Sequence, residues 1–276
     1  MKVWLLIDVS YLAWRALHST GHLSHGDLPT GVTFGLLKCF ADLRTRFPTA
    51  HMVFCFDHGK GLREQKYPWY KETRRKKVLT EEEEEKIVGM KKQINKLRTD
   101  YLKEVGFSNV FYQEGYEADD IIAQVVHHLE CDRPDDVAYI VSADKDLYQL
   151  LRKRVQMYDP KTRKGYTRKM LKADYGVSPS QWVYVKAIAG CLTDDVPGVD
   201  GVGEKTACKY LRKELKPGSV AYNNILDQAE TWMDNLELVR LPFPGVKQFF
   251  PKPDKVDPKA LRRITDSLGM FSLRDS

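Results

Sequence analysis

Glu114-Gly115-Tyr116-Glu117-Ala118-Asp119-Asp120-Ile121-Ile122-Ala123 places three carboxylates within four residues, directly ahead of an apolar helical run. Gly115 breaks the chain. Ile121, Ile122, Val125, Val126 and Leu129 supply a buried stripe, so the acids fall in the first helical turn. Glu117 and Asp120 are three apart and share a face, with Asp119 beside them. One or two acids at a helix start serve as caps and favour the macrodipole. Three packed together repel, which a protein tolerates best with a cation between them.

Working outward, short apolar runs that end in acids recur. Val3 to Ile7 reads as a buried strand ending at Asp8, and a helix follows from about Ser10. A second helix is predicted from Thr33 to about Arg46. His51 to Phe56 is a strand pattern closed by Asp57, and Val110 to Tyr112 is another before the acidic stretch. Val137 to Val141 leads into Ser142-Ala143-Asp144-Lys145-Asp146. Strands alternating with helices predict an α/β fold with a mostly parallel sheet. In such sheets the residues just past the strand ends converge on one crevice. Asp8, Asp57, Asp144 and Asp146 hold such positions, joined by Glu117, Asp119 and Asp120. A cage of hard oxygen ligands points to Mg²⁺ or Mn²⁺.

The connection from Gly59 to about Val105 is too long for a simple loop. Its bases (Lys60, Arg63, Lys66, Lys71, Arg74, Arg75, Lys76, Lys77) are interleaved with Tyr67, Trp69 and Tyr70. Basic groups among aromatics suit phosphate contacts and base stacking. The second half reads as mostly helical: Thr167–Tyr175, Pro179–Ala189 and Lys205–Glu214, then a less regular stretch with one short helix near Lys259–Leu268. Between two of these helices, Pro197-Gly198-Val199-Asp200-Gly201-Val202-Gly203-Glu204-Lys205 makes a glycine-rich hairpin whose backbone N–H groups can face a phosphate.

At 276 residues the chain can bury a sizeable core, and 30% charged with 42% hydrophobic residues is a globular balance. The net charge of +6 permits a polyanionic partner. Five scattered cysteines with no C-x-x-C argue against a disulfide framework and a zinc site, and predict a reducing compartment such as the cytoplasm. The first apolar run is too short for a signal peptide, and no span is long enough to cross a bilayer.

In order along nearly the whole chain, the segments Leu6-Ile7-Asp8, Phe56-Asp57, Tyr67-Pro68-Trp69-Tyr70-Lys71-Glu72-Thr73-Arg74, Gly115 to Asp120, Ser142 to Leu147, and Asp194 through Ala207 resemble the 5′-nuclease family. That family comprises flap endonucleases, the 5′-nuclease domain of bacterial DNA polymerase I, and bacteriophage 5′–3′ exonucleases. The resemblance implies a PIN-like nuclease core over residues 1–164, with a helical arch at about 59–105. A helix-hairpin-helix-type module would follow over 165–276, its hairpin at about 196–207. It implies Asp8, Asp57, Glu117 and Asp119 around a first Mg²⁺ or Mn²⁺, and Asp119, Asp120, Asp144, Asp146 and Asp194 around a second. Lys71 and Arg74 match the arch bases that act on the scissile phosphate. Arg63, Lys66, Tyr67 and Tyr70 join them as DNA-contacting arch residues, Tyr70 as a base-stacking aromatic. Gly201, Gly203 and Lys205 match the hairpin that holds duplex DNA, where the family often carries K⁺.

The implied activity is that of a structure-specific 5′–3′ exonuclease and flap endonuclease, using two metal ions in replication or repair. Its substrates would be DNA 5′ ends, nicks and flaps, or RNA–DNA primers. A monomer with a polymerase or another replication partner is expected. One position departs from the family: in Gly190-Cys191-Leu192-Thr193-Asp194-Asp195, Cys191 stands where an aspartate normally serves the second metal. A thiol is a soft ligand that Mg²⁺ does not favour, and Asp195 is the nearest carboxylate to compensate. A weakly active or inactive DNA-binding homologue therefore stays open beside the nuclease. A PIN-like ribonuclease is the third reading, against which the basic arch and the hairpin argue.

Overall fold

In the computed structural model, which describes residues 1–273, the apolar run at the N-terminus becomes the middle of a six-stranded sheet. Strand β1 (Val3–Asp8) runs into helix α1 (Val9–Thr20), whose first turn is capped by the Asp8 side chain. A small hairpin of β2 (Ser24–His25) and β3 (Leu28–Pro29) leads to α2 (Gly31–Arg46) and β4 (His51–Cys55). The long connection holds α3 (Leu62–Lys66), α4 (Glu72–Lys76), α5 (Glu81–Lys96) and α6 (Leu102–Glu104). A capping box between Thr80 and Glu83 starts α5. Then come β5 (Val110–Phe111), α7 (Ala118–Asp132), β6 (Val137–Val141), β7 (Val155–Asp159) and β8 (Lys164–Tyr166).

The spatial order is β5-β4-β1-β6-β7-β8, with every neighbouring pair parallel except β7–β8. This is the expected mostly parallel sheet, extended by β7 and by the antiparallel β8. Register aligns Asp8 with Cys55 and Ile7 with Val141, so the carboxyl ends of β4, β1 and β6 open on one edge. The sheet is buried on both faces, which is why its strands read as continuous apolar runs. Alternate β1 residues serve the two faces. Trp4 and Leu6 pack among the apolar residues of α7 and α9, and Leu5 and Ile7 among those of α1 and α2.

The second half continues with α8 (Arg168–Tyr175), α9 (Pro179–Ala189), α10 (Glu204–Leu211), α11 (Val220–Asp227), α12 (Ala229–Val239) and α13 (Pro258–Ser267). Helices α11 and α12 lie in the stretch expected to be irregular. Gln228 ends one and begins the other without a side-chain cap, so no capping signal marks either boundary. The boundary expected after residue 164 falls inside β8, and one apolar core runs across it from Trp4 to Phe249.

The proline-rich tail is not a loose end. Phe243, Val246 and Phe249 are buried in the α7-side core, and the Phe249 and Phe111 rings lie 5.0 Å apart. Further on, Ile264, Leu268 and Met270 join the opposite core. The tail thus straps the β5 edge of the sheet, whose free backbone groups would otherwise invite pairing. Asn109, fully buried, fixes the strap: its Nδ2 donates to the carbonyls of Met52 (3.1 Å) and Lys252 (2.7 Å), and its Oδ1 accepts from the Lys252 amide (2.7 Å). Asp254 accepts from the Met52 amide at 2.7 Å. Asn109→Ala strips partners from buried backbone groups, which costs about 1–3 kcal/mol. Urea unfolding should show a lower midpoint with an unchanged slope; an unaltered midpoint would show that the strap is not held there.

Candidate active site

The acidic stretch divides its carboxylates among three tasks. Gly115, with φ of 81°, turns the chain into α7, and Glu117 is the N-cap. A capping box joins Glu117 to Asp120, whose Oδ2 accepts from the Glu117 amide at 3.2 Å. The next free amide, Ala118 N–H, donates to Asp57 Oδ1 at 2.7 Å, so β4 and α7 share one link. Glu117 turns to the arch, where Lys71, Arg63 (3.4 Å) and the Tyr70 hydroxyl (3.2 Å) contact it. Burial alone would raise the Glu117 carboxyl; Lys71 and Arg63 hold it below its ordinary range instead.

Asp120 does not reach the cleft. It is fully buried, and both oxygens are taken by the Arg63 guanidinium at 2.5 and 2.7 Å. The amide of Phe243 adds a bond at 2.7 Å. The expectation that Asp120 serves a metal, and Arg63 DNA, is thereby corrected. Their types and spacing fit those roles, but each is the other's buried counter-charge.

Asp8, Asp57, Asp119 and Asp144 have no such cation. Asp8 accepts from the Tyr11 amide (2.9 Å) and the buried Ser142 hydroxyl (3.0 Å). Even so, burial, reinforced by the charges of Asp57 and Asp144, pushes its carboxyl up to about 7. Burial and then Asp8 and Asp144 raise Asp119 well above the usual carboxylate range. Asp57 and Asp144 are exposed, yet the surrounding protein raises both, with Glu117 and Asp146 respectively adding repulsion. This edge of the sheet is short of positive charge.

The cations near the cleft are each already paired with an acid. A cleft of about 80 Å³ is lined by Tyr70, Lys71, Arg74, Glu117, Asp119, Asp144, Asp146, Cys191 and Asp194, among others. Lys71 adopts a left-handed backbone (φ 55°), and its amide donates to the Asp194 carbonyl at 2.9 Å. Arg74 pairs with Asp194 at 2.8 Å, and Lys186 pairs with Asp146 at 2.9 Å. Burial would depress Lys186, but Asp146 outweighs it and raises the ammonium above its ordinary value. Cys191 Sγ faces Thr193 Oγ1 (3.1 Å) and Asp194 Oδ2 (3.6 Å). Asp195 leaves the cleft: with φ of 54° it accepts from the amide (2.8 Å) and hydroxyl (2.6 Å) of Thr73 at the start of α4. It does not stand in for the missing aspartate.

Among the described residues, no three Asp, Glu, His or Cys side chains stand close enough to form a ready-made cation cage. Lys71, Arg74 and Lys186 hold Glu117, Asp194 and Asp146 in ion pairs instead. The donor chemistry nevertheless fits hard divalent cations, since apart from Cys191 every candidate ligand on this edge is a carboxylate. Glu117, Asp119, Asp144, Asp146, Cys191 and Asp194 line the cleft, and Asp8, near enough to Asp57 and Asp119 for their charges to act on one another, lies beside it.

The arch aromatics differ from expectation. Tyr70 is buried, with its ring under Lys71 at 4.7 Å, and Tyr67 bonds Glu237 at 3.2 Å while Lys66 pairs with the same acid. Neither tyrosine presents a free face; Trp69, 45% exposed, is the ring open to solvent. The glycine-rich turn lies just ahead of α10. Val199 and Val202 anchor it in the core, while Gly201 (φ 72°), Gly203 and Lys205 lie exposed at the start of α10. Two contributors were not foreseen. Ser142 immediately follows β6, and Lys186 is the single charge in the apolar run Trp182–Ile188, a signal legible in the sequence.

Residues 3–176 match the family described as 5′–3′ exonuclease, N-terminal resolvase-like domain. A 5′–3′ exonuclease of Aquifex aeolicus is 30% identical over 90% of this chain and 78% of its own length. Flap endonuclease Xni of Psychromonas ingrahamii is 32% identical over 82% and 80%. Thermostable DNA polymerase I of Thermus aquaticus is 30% identical over 98% of this chain, which spans only 32% of that polymerase. Among solved structures, zinc-bound T5 5′-exonuclease superposes with a TM-score of 0.75 at 22% identity, covering 100% of this chain and 97% of that one, a likeness of fold.

Because Asp120 is the counter-ion of a buried arginine, Asp120→Ala should destabilise the protein by about 3–5 kcal/mol. Guanidinium unfolding measures it. A variant as stable as the parent, with only its metal requirement altered, would return Asp120 to the cleft.

Proposed function

This chain belongs to the 5′–3′ exonuclease family of nucleases, and from that we propose that it is a structure-specific 5′-nuclease cleaving DNA phosphodiesters with divalent cations. The observation that carries the reading is one carboxyl edge holding Asp8, Asp119 and Asp144, none of them in an ion pair among the described residues, beside a cleft that Lys71 and Arg74 line together with Asp119 and Asp144. Asp8, Asp57, Glu117 and Asp119 would hold a first Mg²⁺ or Mn²⁺, and Asp119, Asp144, Asp146 and Asp194 a second. Bound there, the ions would polarise the phosphate and lower the pKa of the attacking water.

The chain's own groups do the rest. Lys71 and Arg74 would exchange their carboxylate partners for phosphoryl oxygens as substrate enters, neutralising charge that grows in the transition state. The bond from the Lys71 amide to Asp194 fixes the arch base while the side chains move. At the hairpin, the exposed backbone of Gly201 and Gly203 with Lys205 would grip duplex phosphates without reading sequence, and its carbonyls would take a K⁺ ion. Trp69 replaces Tyr70 as the arch ring that stacks on an unpaired base. Arg15, Lys38, Arg46 and Arg163 line a separate groove of about 750 Å³, a second basic surface for DNA. The substrates are 5′ ends, nicks and flaps, including RNA–DNA primers, and the polymerase I relatives support a polymerase partner.

Cleavage of a 5′-flap, a nicked duplex and single-stranded RNA under Mg²⁺ and Mn²⁺ tests the reading. Both DNA substrates should be cut and the RNA left intact. Asp144→Asn should abolish cleavage while flap binding in Ca²⁺ stays within a few fold. Equal loss of binding and cleavage would make Asp144 structural, and RNA cleavage alone would replace the reading with a ribonuclease.

Cys191 bears on the second ion. With Asp195 engaged at α4, nothing hard replaces the thiol, so wild-type activity should need high Mg²⁺ and improve with Mn²⁺. Cys191→Asp should raise cleavage most at low Mg²⁺ and leave DNA affinity in Ca²⁺ unchanged. An unchanged or higher Mg²⁺ requirement in the variant would show that the thiol does not face that ion.

A further inference from the structure

Lys186 lies on α9 with its side chain only 8% exposed. Its ammonium reaches two acids of different origin: Asp146 Oδ1 at 2.9 Å, beyond the end of β6, and Glu204 Oε1 at 3.7 Å. Glu204 is the first residue of α10, directly after the exposed glycine hairpin. Its other oxygen, Oε2, accepts from Lys145 at 3.0 Å, and the Lys145 carbonyl in turn accepts from the buried Trp182 indole on α9 at 2.7 Å. Two lysines and two acids thus form a relay running from the hairpin helix to the cleft.

A buried ammonium beside a carboxylate competes with any cation for it. How tightly Lys186 holds Asp146 depends on how far Glu204 draws it away. We propose that Glu204 is a positioning residue: by sharing Lys186, it sets how free Asp146 is to bind a divalent cation, and so ties that ion to the duplex-holding hairpin. The inference rests on the reading of this cleft as a two-ion nuclease centre, and it concerns a residue that touches neither substrate nor ion. Reciprocity follows: whatever docks at the start of α10 and shifts Glu204 also shifts the affinity of the cleft for its second cation.

The test is a Mn²⁺ titration of the DNA-free protein, reading free Mn²⁺ by electron paramagnetic resonance. The set is wild type, Glu204→Gln, Lys186→Met and the double variant, with thermal melting as the control. Glu204→Gln should weaken the weaker Mn²⁺ site about tenfold, as loss of an outer-shell partner does, and leave melting unchanged. In the Lys186→Met background the same substitution should have no effect, because the competing ammonium is gone. A Glu204→Gln titration identical to wild type, or an equal loss in both backgrounds, overturns the relay while the metal-centre reading stands. Absence of any saturable Mn²⁺ site in the wild type overturns both.

Discussion

The buried pair between Arg63 and Asp120 fixes more of this molecule than any other contact. Arg63 comes from the first helix of the arch and Asp120 from the first turn of α7. The same guanidinium donates to the carbonyls of Leu238 (2.9 Å) and Arg240 (3.3 Å) at the end of α12, and it lies 4.7 Å over the Phe243 ring. Asp120 in turn accepts the Phe243 amide. Three segments distant in sequence therefore meet on one ion pair. Such a pair adds little net stability over an apolar replacement, but removing one partner is costly, and the directionality of its bonds sets geometry. Here that geometry turns Glu117 and Asp119 outward by anchoring the residue beside them.

Around that anchor the electrostatics of the cleft are deliberately unbalanced. Three of its acids are matched by protein cations: Glu117 by Lys71, Asp194 by Arg74 and Asp146 by Lys186. Asp8, Asp119 and Asp144 are not, and burial with mutual repulsion raises all three. Strain of this kind clusters at functional sites. Divalent cations would relieve it, and a phosphodiester would draw Lys71 and Arg74 away from their carboxylates. The departure at Cys191 lines the same cleft as Asp144 and Asp194.

Much of this is legible in the sequence because parallel-sheet strands announce themselves as apolar runs and carry their acids just past the end. Asp8, Asp57 and Asp144 follow from that rule alone, and register on β1 places them together. The hairpin is equally readable, since Gly201 and Gly203 flank a valine that must be buried. What periodicity could not separate was which of three neighbouring acids faces inward. Asp120 looks like Asp119 until Arg63, 57 residues away, is seen to claim it. The same limit hid the burial of Tyr70 and the strap from Leu241 to Asp257. That strap is held by Asn109 and Asp254 through side chain–backbone bonds with no sequence pattern. Lys186 was available to sequence reasoning as a lone charge in an apolar helix, and only the topology shows what it neutralises.

The central claim is that the carboxyl edge of β4, β1 and β6 is a divalent-metal centre. Anomalous diffraction from crystals grown in Mn²⁺ tests it most directly. Two peaks should appear along this edge, one bounded by Asp8, Asp57, Glu117 and Asp119, the other by Asp119, Asp144, Asp146 and Asp194. A cleft with no peak, its acids still paired to Lys71, Arg74 and Lys186 while Mn²⁺ binds elsewhere, would contradict it.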